Sequence, residues 1–439
     1  MAGASTLGTM SPGLAKVVER AKREPDGEFH SLAHLIDVPA LMQSYQRMRK
    51  EAAVGVDGVT KEAYGQNLGT RLSDLHARLK SMQYRHQPIR RVHIPKENGK
   101  TRPIGISAFE DKLVQDAIRE VLEAVYEPIF SESSHGFRPG RGCHDAIRAL
   151  DRQAHQGRVG FILEADIVSF FDSIDRKMLL EMLQERVPDG SLLRLIGKCL
   201  HAGILDGDEY SEPEMGTAQG SVLSPLLGNI YLHNVLDRWF EREVKPRLHG
   251  KAILVRYADD FVITFERQED AQRVMDVLPK RMGRFGLTLH PDKTRLLPFG
   301  RPPRKQQQGK GPGSFDFLGF TLYWKRTRGG TWELACTTRQ ARLRRSIAAI
   351  ADYCRRHRHQ PVKVQHESLK RRIQGHFNYF GVNGNTARLG NLVEEAKRLW
   401  FKWLRRRSQR SRLTWERFEE LLKRFPLPTP RVMVRIWDG

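Results

Sequence analysis

Three features of the 439-residue sequence predict an α+β fold that gives way to helices alone at its C-terminal end. Apolar strand patterns run into acids at VGFILEAD (159–166) and AILVRYADDFVITF (252–265), the second reading as two buried strands joined at a tight acidic turn. Helical periodicity at 176–200, 222–243 and 268–285 alternates with these strands, so a sheet packed on helices follows. Beyond about residue 336 only helical patterns remain.

Taken from the start, the chain up to about residue 155 mixes short helices with a hairpin signal: RRVHI and RPIGI are strand-like, and KENGKT between them is rich in turn residues. Residues 298–314, PFGRPPRKQQQGKGPGS, are too polar and too broken to pack and are expected to form a mobile basic loop. From Arg339 to Arg412 there are 20 Lys plus Arg against 4 acids. In NLVEEAKRLWFKWLRRR, Leu392, Ala396, Leu399, Trp400 and Trp403 share one helical face, while Arg398, Lys402, Arg405 and Arg406 fall mostly elsewhere. The aromatic stripe therefore reads as core and the cationic faces as phosphate contacts.

The length suits two or three cooperating domains, because single cores stop growing at about 250–300 residues. Lys plus Arg number 74 against 51 acids, a formal net charge of +23 that concentrates polyanions around the protein. Nucleic acid is the leading partner on charge; a merely soluble basic protein or a membrane-surface binder are the other readings. The N-terminal residues lack the apolar run of a secretory signal, and no stretch approaches the ~20 apolar residues of a membrane span, so a cytoplasmic protein with no membrane partner is expected. Cys143, Cys199, Cys336 and Cys354 are scattered without zinc spacing, and His357 and His359 sit among cations, so no structural zinc is expected.

The chemistry-bearing residues are acids. A sheet that sets the two strand patterns side by side converges Asp166 with Asp259 and Asp260. Such a cluster repels itself, raising carboxyl pKa values, unless hard divalent ions, which prefer oxygen ligands, relieve it. Two magnesium ions roughly 3.5–4 Å apart suit an in-line displacement at phosphate. Alone, an Asp-Asp pair at a turn is ordinary turn chemistry; the other motifs change its meaning.

YADD at 257–260 resembles the catalytic hairpin of reverse transcriptases, and EADIVSFFDSID at 164–175 the partner motif with the third aspartate. GTAQGSVLSPLLGNIYL (216–232) is similar to the motif lying against the incoming nucleotide, GLTLHPDKT (286–294) to the one with a basic residue near pyrophosphate, and FDFLGF (315–320) to the primer grip. GVDGVT (55–60), PIRRVHIPKENGKTRPIGI (88–106), HGFRPGRGCHDAI (135–147), RRIQGHFNYFGVNGN (371–385) and LWFKWLRRRS (399–408) resemble blocks of bacterial group II intron-encoded enzymes, in unbroken order. The resemblance implies a right-hand polymerase: fingers over 1–155, a palm with antiparallel strands over 156–325, and a helical thumb or maturase X domain over 326–439.

It implies RNA-directed DNA synthesis with magnesium, manganese being a possible substitute, on an RNA template with a DNA or RNA primer and dNTPs. It also implies binding of a group II intron RNA as a splicing maturase, and a place on the bacterial nucleoid. Carried over residue by residue, Asp166, Asp259, Asp260 and the Ile167 carbonyl become metal ligands, and Lys293 a donor to pyrophosphate, a snorkelling lysine being the plainer reading. Lys96 and Arg102 clamp the triphosphate; Phe170, Gln219, Gly220 and Tyr257 line the nucleotide site; Phe171 excludes a 2′-hydroxyl, or else packs in the core. Arg138 and Arg141 touch the template, Leu318 and Gly319 the primer, and Arg398, Arg405, Arg406 and Arg407 the RNA.

Ala218, Ser221 and the pair Val168-Ser169 depart from the family's usual proline, glycine and Lys-Gly, which bears on nucleotide fit rather than on the ligands. No endonuclease pattern follows the thumb. The alternatives are an RNA-binding maturase with a vestigial site, or a domesticated enzyme of phage defence, CRISPR spacer acquisition or DNA repair; fold and site do not separate these.

Overall fold

The computed structural model of the chain describes residues 10–95, 101–156, 159–303, 313–327, 329–408 and 412–436. Lys96 and most of the basic 298–314 loop lie outside them. Among the described residues the strands are, in chain order, β1 (Ile89–Pro95), β2 (Thr101–Ile106), β3 (Phe161–Ala165), β4 (Ile204–Asp206), β5 (Glu209–Ser211), β6 (Ala252–Tyr257), β7 (Asp260–Phe265), β8 (Arg295–Pro298), β9 (Ser314–Phe317), β10 (Phe320–Arg326) and β11 (Trp332–Thr338). They form three sheets, ordered β2-β1-β4-β5, β6-β7-β3-β8 and β11-β10-β9. Helices and antiparallel pairs together make this a mixed α and β fold, and no helix among the described residues is long and apolar enough to cross a membrane.

The chain divides into two compact units that interleave along the sequence: Met1–Gly142, Ala165–Ile263 and Glu269–Arg295 form the first, and Cys143–Glu164, Thr264–Gln268 and Leu296–Gly439 the second. The first unit joins the N-terminal residues to both acidic motifs.

In the first unit the hairpin expected near residues 90–106 is present, with Arg90 opposite Ile106 and Ile94 opposite Arg102. β1 also pairs in parallel with β4 through Ile89 and Arg90. The helix Phe109–Tyr126 forms the middle of this unit, with Leu113, Val114, Ile118, Leu122 and Val125 fully covered. The helical pattern at 176–200 resolves into Arg176–Arg186 and Gly190–Leu200, since Pro188 cannot continue a helix and Asp189 caps the next one. Asp189 accepts from the N–H groups of Ser191 and Leu192 at 3.0 Å and from those of Leu32 and Ala33 at 2.6 and 2.8 Å, tying the N-terminal residues to this cap. Burial pushes its carboxyl pKa up, but the four backbone donors outweigh it and hold the pKa below the ordinary range. The helix Ser224–Leu232 runs on into π-helical turns at His233–Asp237 and Phe240–Val244.

In the second unit β9 and β10 meet at Leu318 and Gly319, with φ of 50° and 78°, the left-handed pair that a two-residue hairpin turn needs. Helices Gln340–Arg356, Val362–Phe380, Thr386–Arg405 and Trp415–Arg424 follow. Their core contains Leu343, Ile350, Ile373, Phe377, Leu392, Ala396 and the fully buried Trp400, whose indole N–H donates to Gln365 Oε1 at 3.0 Å. The apolar face read from the sequence is thus core at Leu392, Ala396 and Trp400. Trp403, half-buried, instead carries Lys402 and Arg406 over its ring at 5.7 and 5.5 Å.

Candidate active site

The acidic turn is built from its floor upward. β6 ends at Tyr257 and β7 begins at Asp260, leaving Ala258 and Asp259 as the turn, with Ala258 buried and at φ 57°. A left-handed alanine costs roughly 1–2 kcal/mol, so its surroundings must hold it there. Two contacts do so. Gly136 lies so close that a Cβ on it would stand 2.3 Å from the Ala258 nitrogen, a packing only glycine permits. On the other side, the Ala258 carbonyl accepts from Arg256 Nη1 at 3.0 Å.

Arg256 is fully buried, as is Asp237, and the two form a fork with Nε to Oδ1 at 2.8 Å and Nη2 to Oδ2 at 2.6 Å. Arg256 also donates to Asn229 Oδ1 at 3.0 Å and Ser134 Oγ at 2.8 Å. A buried charge persists only when paired and bonded in this way. Neither Arg256 nor Asp237 was legible in the sequence as a site residue; the only signal was an arginine inside an otherwise apolar strand.

Asp259 is half-buried and Asp260 exposed. The Asp259 carboxyl pKa is pushed up, first by burial and further by the Asp166 carboxylate, against its own backbone N–H and the charges of Arg102 and Arg256. Asp166 thus acts electrostatically on Asp259, and Arg102 of β2 acts on the same group. Lys293 places its ammonium on Asp166 Oδ2. Asp166 follows β3 directly: its carbonyl accepts from His290 N–H at 2.7 Å, while Val168 N–H donates to the Thr288 carbonyl at 2.8 Å. These two bonds flank the Ile167–Leu289 bridge and leave the Ile167 carbonyl outside the ladder.

Among the described residues no group of three or more His, Cys, Asp or Glu side chains is arranged so as to hold a metal ion. The donors present, two electrostatically coupled carboxylates and a nearby third at the same turn, suit hard divalent ions, and the Lys293 ammonium already stands in as a cation on one of them.

Ser169, at φ 46°, turns the chain after Ile167 so that the Phe170 and Phe171 rings lie 5.2 Å apart, both against Gly228, where a Cβ would meet them at 2.9 and 3.2 Å. Phe170 is buried and Phe171 half-buried. Thr217 N–H donates to the Phe171 carbonyl at 2.7 Å, bringing the 216–220 loop alongside. That loop meets β2 where Gly105 N–H donates to the Gln219 carbonyl at 2.6 Å and where Gly220, at φ 110°, leaves room for Gly105. Ala218 and Gln219 help to line a cavity of about 420 Å³ with Arg91, Asp172 and Arg176. Arg102, Phe171, Gln219 and the Asp166–Asp259 pair thus belong to one unit, and half-buried Tyr257 precedes the turn.

Other expected contacts are placed differently. Arg138 is buried, with every guanidinium nitrogen held by Glu127, Ser131 or Ser134, so its side chain braces the fold instead of reaching for template. Arg141 pairs with Glu132 at 2.7 Å. Arg407 donates inward to the carbonyls of Arg358 and Gln360. Arg405 and Arg406 are exposed, and Arg398, also exposed, pairs with Glu395 at 2.8 Å. In the second unit the Leu318 carbonyl accepts from the Tyr379 hydroxyl at 2.9 Å, and Gly319 lies in ordinary contact with Phe380.

Residues 94–322 match the family model for reverse transcriptase (RNA-dependent DNA polymerase). Protein YkfC of Escherichia coli is 30% identical over 375 residues, covering 76% of this chain and 94% of its own. The group II intron-encoded protein LtrA of Lactococcus lactis is 38% identical over 213 residues, 47% of this chain. An uncharacterized 91 kDa protein in the cob intron of Schizosaccharomyces pombe is 34% identical over 270 residues, 50% of this chain. The matches cover only 35% of LtrA and 33% of the cob intron protein. The family match covers the acidic hairpin, the 216–220 loop and β2 together, and on it the chain belongs to the reverse transcriptase (RNA-dependent DNA polymerase) family, among the members similar to group II intron-encoded proteins.

Proposed function

We propose that this chain copies RNA into DNA at the Asp166–Asp259–Asp260 site, and the observation that carries the proposal is the coupling of Asp166 to Asp259 beside a braced left-handed turn. Asp166, Asp259, Asp260 and the Ile167 carbonyl would hold two magnesium ions, or manganese in their place, which supply activation of the primer hydroxyl and neutralisation of the departing pyrophosphate. Arg102, with Lys96, would bind the triphosphate. Lys293, paired with Asp166, would pass charge or a proton toward pyrophosphate. Phe171, fixed between Thr217 and Gly228, would lie under the sugar and select deoxynucleotides, while Gln219, Gly220 and Tyr257 border the nucleotide and Phe170 supports Phe171. Asp259→Asn is expected to abolish primer extension while leaving RNA affinity intact; near-normal extension by that variant would sink the assignment.

In hand terms, β1 and β2 are read as fingers, the acidic strands as palm and the C-terminal helices as thumb, with Leu318–Gly319 as a backbone contact to primer. The excess of basic residues from Arg339 to Arg412, together with intron-encoded relatives, supports a maturase role: exposed Arg398, Arg405 and Arg406 would bind intron RNA through phosphates. A cytoplasmic, nucleoid-associated ribonucleoprotein is the setting this implies.

A further inference from the structure

The segment from Ser133 to Arg138 is pinned along the edge of β6. Arg256 N–H donates to the Ser133 carbonyl and His135 N–H to the Arg256 carbonyl, both at 2.8 Å. The Gly136 carbonyl accepts from Asn229 Nδ2 at 2.7 Å, Gly136 abuts the Ala258 backbone, and Arg138 is buried in its own bonds. One side chain in this rigid stretch behaves differently. Phe137 is 49% exposed and has φ 57°. No ring or cation among the described residues stacks on it. A left-handed phenylalanine costs roughly 1–2 kcal/mol, and a ring about half exposed to water returns only part of it. Glycine would take this φ freely. A strained, bulky, solvent-facing residue one position from a glycine in contact with the catalytic turn is therefore held for something outside the chain.

We propose that Phe137 is a stacking platform for a nucleobase of the template strand, next to the acidic turn. The ring carries no charge and cannot neutralise phosphate; the surfaces of nucleic acid that suit it are base faces. The strand follows from the sheet order. Asp166 reaches the hairpin from the β7 side, in the order β6-β7-β3, and the primer terminus must lie between Asp166 and Asp259. Phe137 stands beside β6, on the opposite flank, and on the proposed site the complementary strand would run there. Its fixed backbone means that the platform is already formed before nucleic acid arrives, so little ordering opposes stacking.

The inference rests on the proposed carboxylate site, and the experiment separates the two. Wild type, Phe137→Leu, Phe137→Ala, Phe137→Trp and Phe137→Gly are titrated with an RNA template and DNA primer carrying 2-aminopurine at the templating position, with anisotropy for affinity and base fluorescence for stacking. Phe137→Ala and Phe137→Leu are expected to bind about tenfold to a hundredfold more weakly and to leave the 2-aminopurine bright, as loss of one base–aromatic stack predicts. Phe137→Trp is expected to keep both signals, and Phe137→Gly to melt at or above the wild-type temperature because the strain is gone. Wild-type affinity and quenching in Phe137→Leu would overturn the proposal, as would a melting point for Phe137→Leu several degrees below wild type, which would make the ring a packing residue. Asp259→Asn is run in parallel: it should still quench, and normal extension by that variant would refute the site itself and not the stacking.

Discussion

Replacing Arg256 with Met tests whether the catalytic turn depends on the buried fork beneath it. The substitution preserves much of the bulk but leaves Asp237 buried and unpaired, and strips Asn229, Ser134 and the Ala258 carbonyl of a donor. Breaking a buried pair by removing one partner costs about 3–5 kcal/mol. At roughly 2 °C per kcal/mol for a unit of this size, the melting point should fall by about 6–10 °C. Removing both charges in Arg256→Met/Asp237→Leu should restore most of this, because no uncompensated charge remains. Activity should behave differently. The Ala258 carbonyl stays without its donor in both variants, so the left-handed turn relaxes and Asp259 shifts; a displacement near 1 Å costs on the order of 10²-fold in rate. The assay pairs thermal melting with single-turnover primer extension at saturating nucleotide and template. A double variant that regains stability and wild-type turnover together would refute the positioning argument, as would a single variant that melts like wild type. Arg256→Lys offers a further check, since an ammonium keeps the charge but cannot reproduce the planar fork.

Four other outcomes are expected. Because the folded-state pKa of Asp259 is raised, its contribution to stability is fully present below its unfolded value near 3.9 and is lost as pH rises through the folded value; Asp259→Asn should therefore melt above wild type in chelator at neutral pH, the gap closing below about pH 4. Adding magnesium should raise the melting point of wild type more than that of the variant, and equal responses would separate Asp259 from metal binding. Phe171→Ala should admit ribonucleotides, read as the ratio of ribonucleotide to deoxynucleotide incorporation, and an unchanged ratio would return Phe171 to core packing. Arg405→Gln with Arg406→Gln should flatten the log-log salt dependence of RNA binding by about 1.4 to 1.8 units, at roughly 0.7 to 0.9 per phosphate lost; a wild-type slope in a folded variant would make these a solvated face, and Arg407, tied to Arg358 and Gln360, is left out because its loss would disturb packing.

The acidic hairpin was legible in the sequence because its signals are local: two nearly continuous apolar runs over 252–265, a turn between them, and an apolar strand ending at Asp166. The β1–β2 hairpin and the helices after residue 338 follow from near-neighbour periodicity in the same way. Charge was legible as a total but not residue by residue. Arg138 and Arg407 read as nucleic-acid contacts and Arg256 only as an arginine inside an apolar strand, yet each is directed inward by partners distant in sequence: Arg138 by Glu127, 11 residues away, Arg256 by Asp237 and Ser134, 19 and 122 away, and Arg407 by Arg358, 49 away. Whether a guanidinium faces water or is desolvated against a carboxylate depends on which groups the chain folds around it, a comparison of solvation with pairing that no local pattern contains. The interleaving of the two units has the same origin, since strands far apart in sequence complete each other's hydrogen bonds. Composition, periodicity and motif order thus determined which family this chain resembles, whereas tertiary structure alone decided that a buried Arg256–Asp237 fork and a single close-packed glycine, Gly136, hold the acidic turn in its left-handed shape.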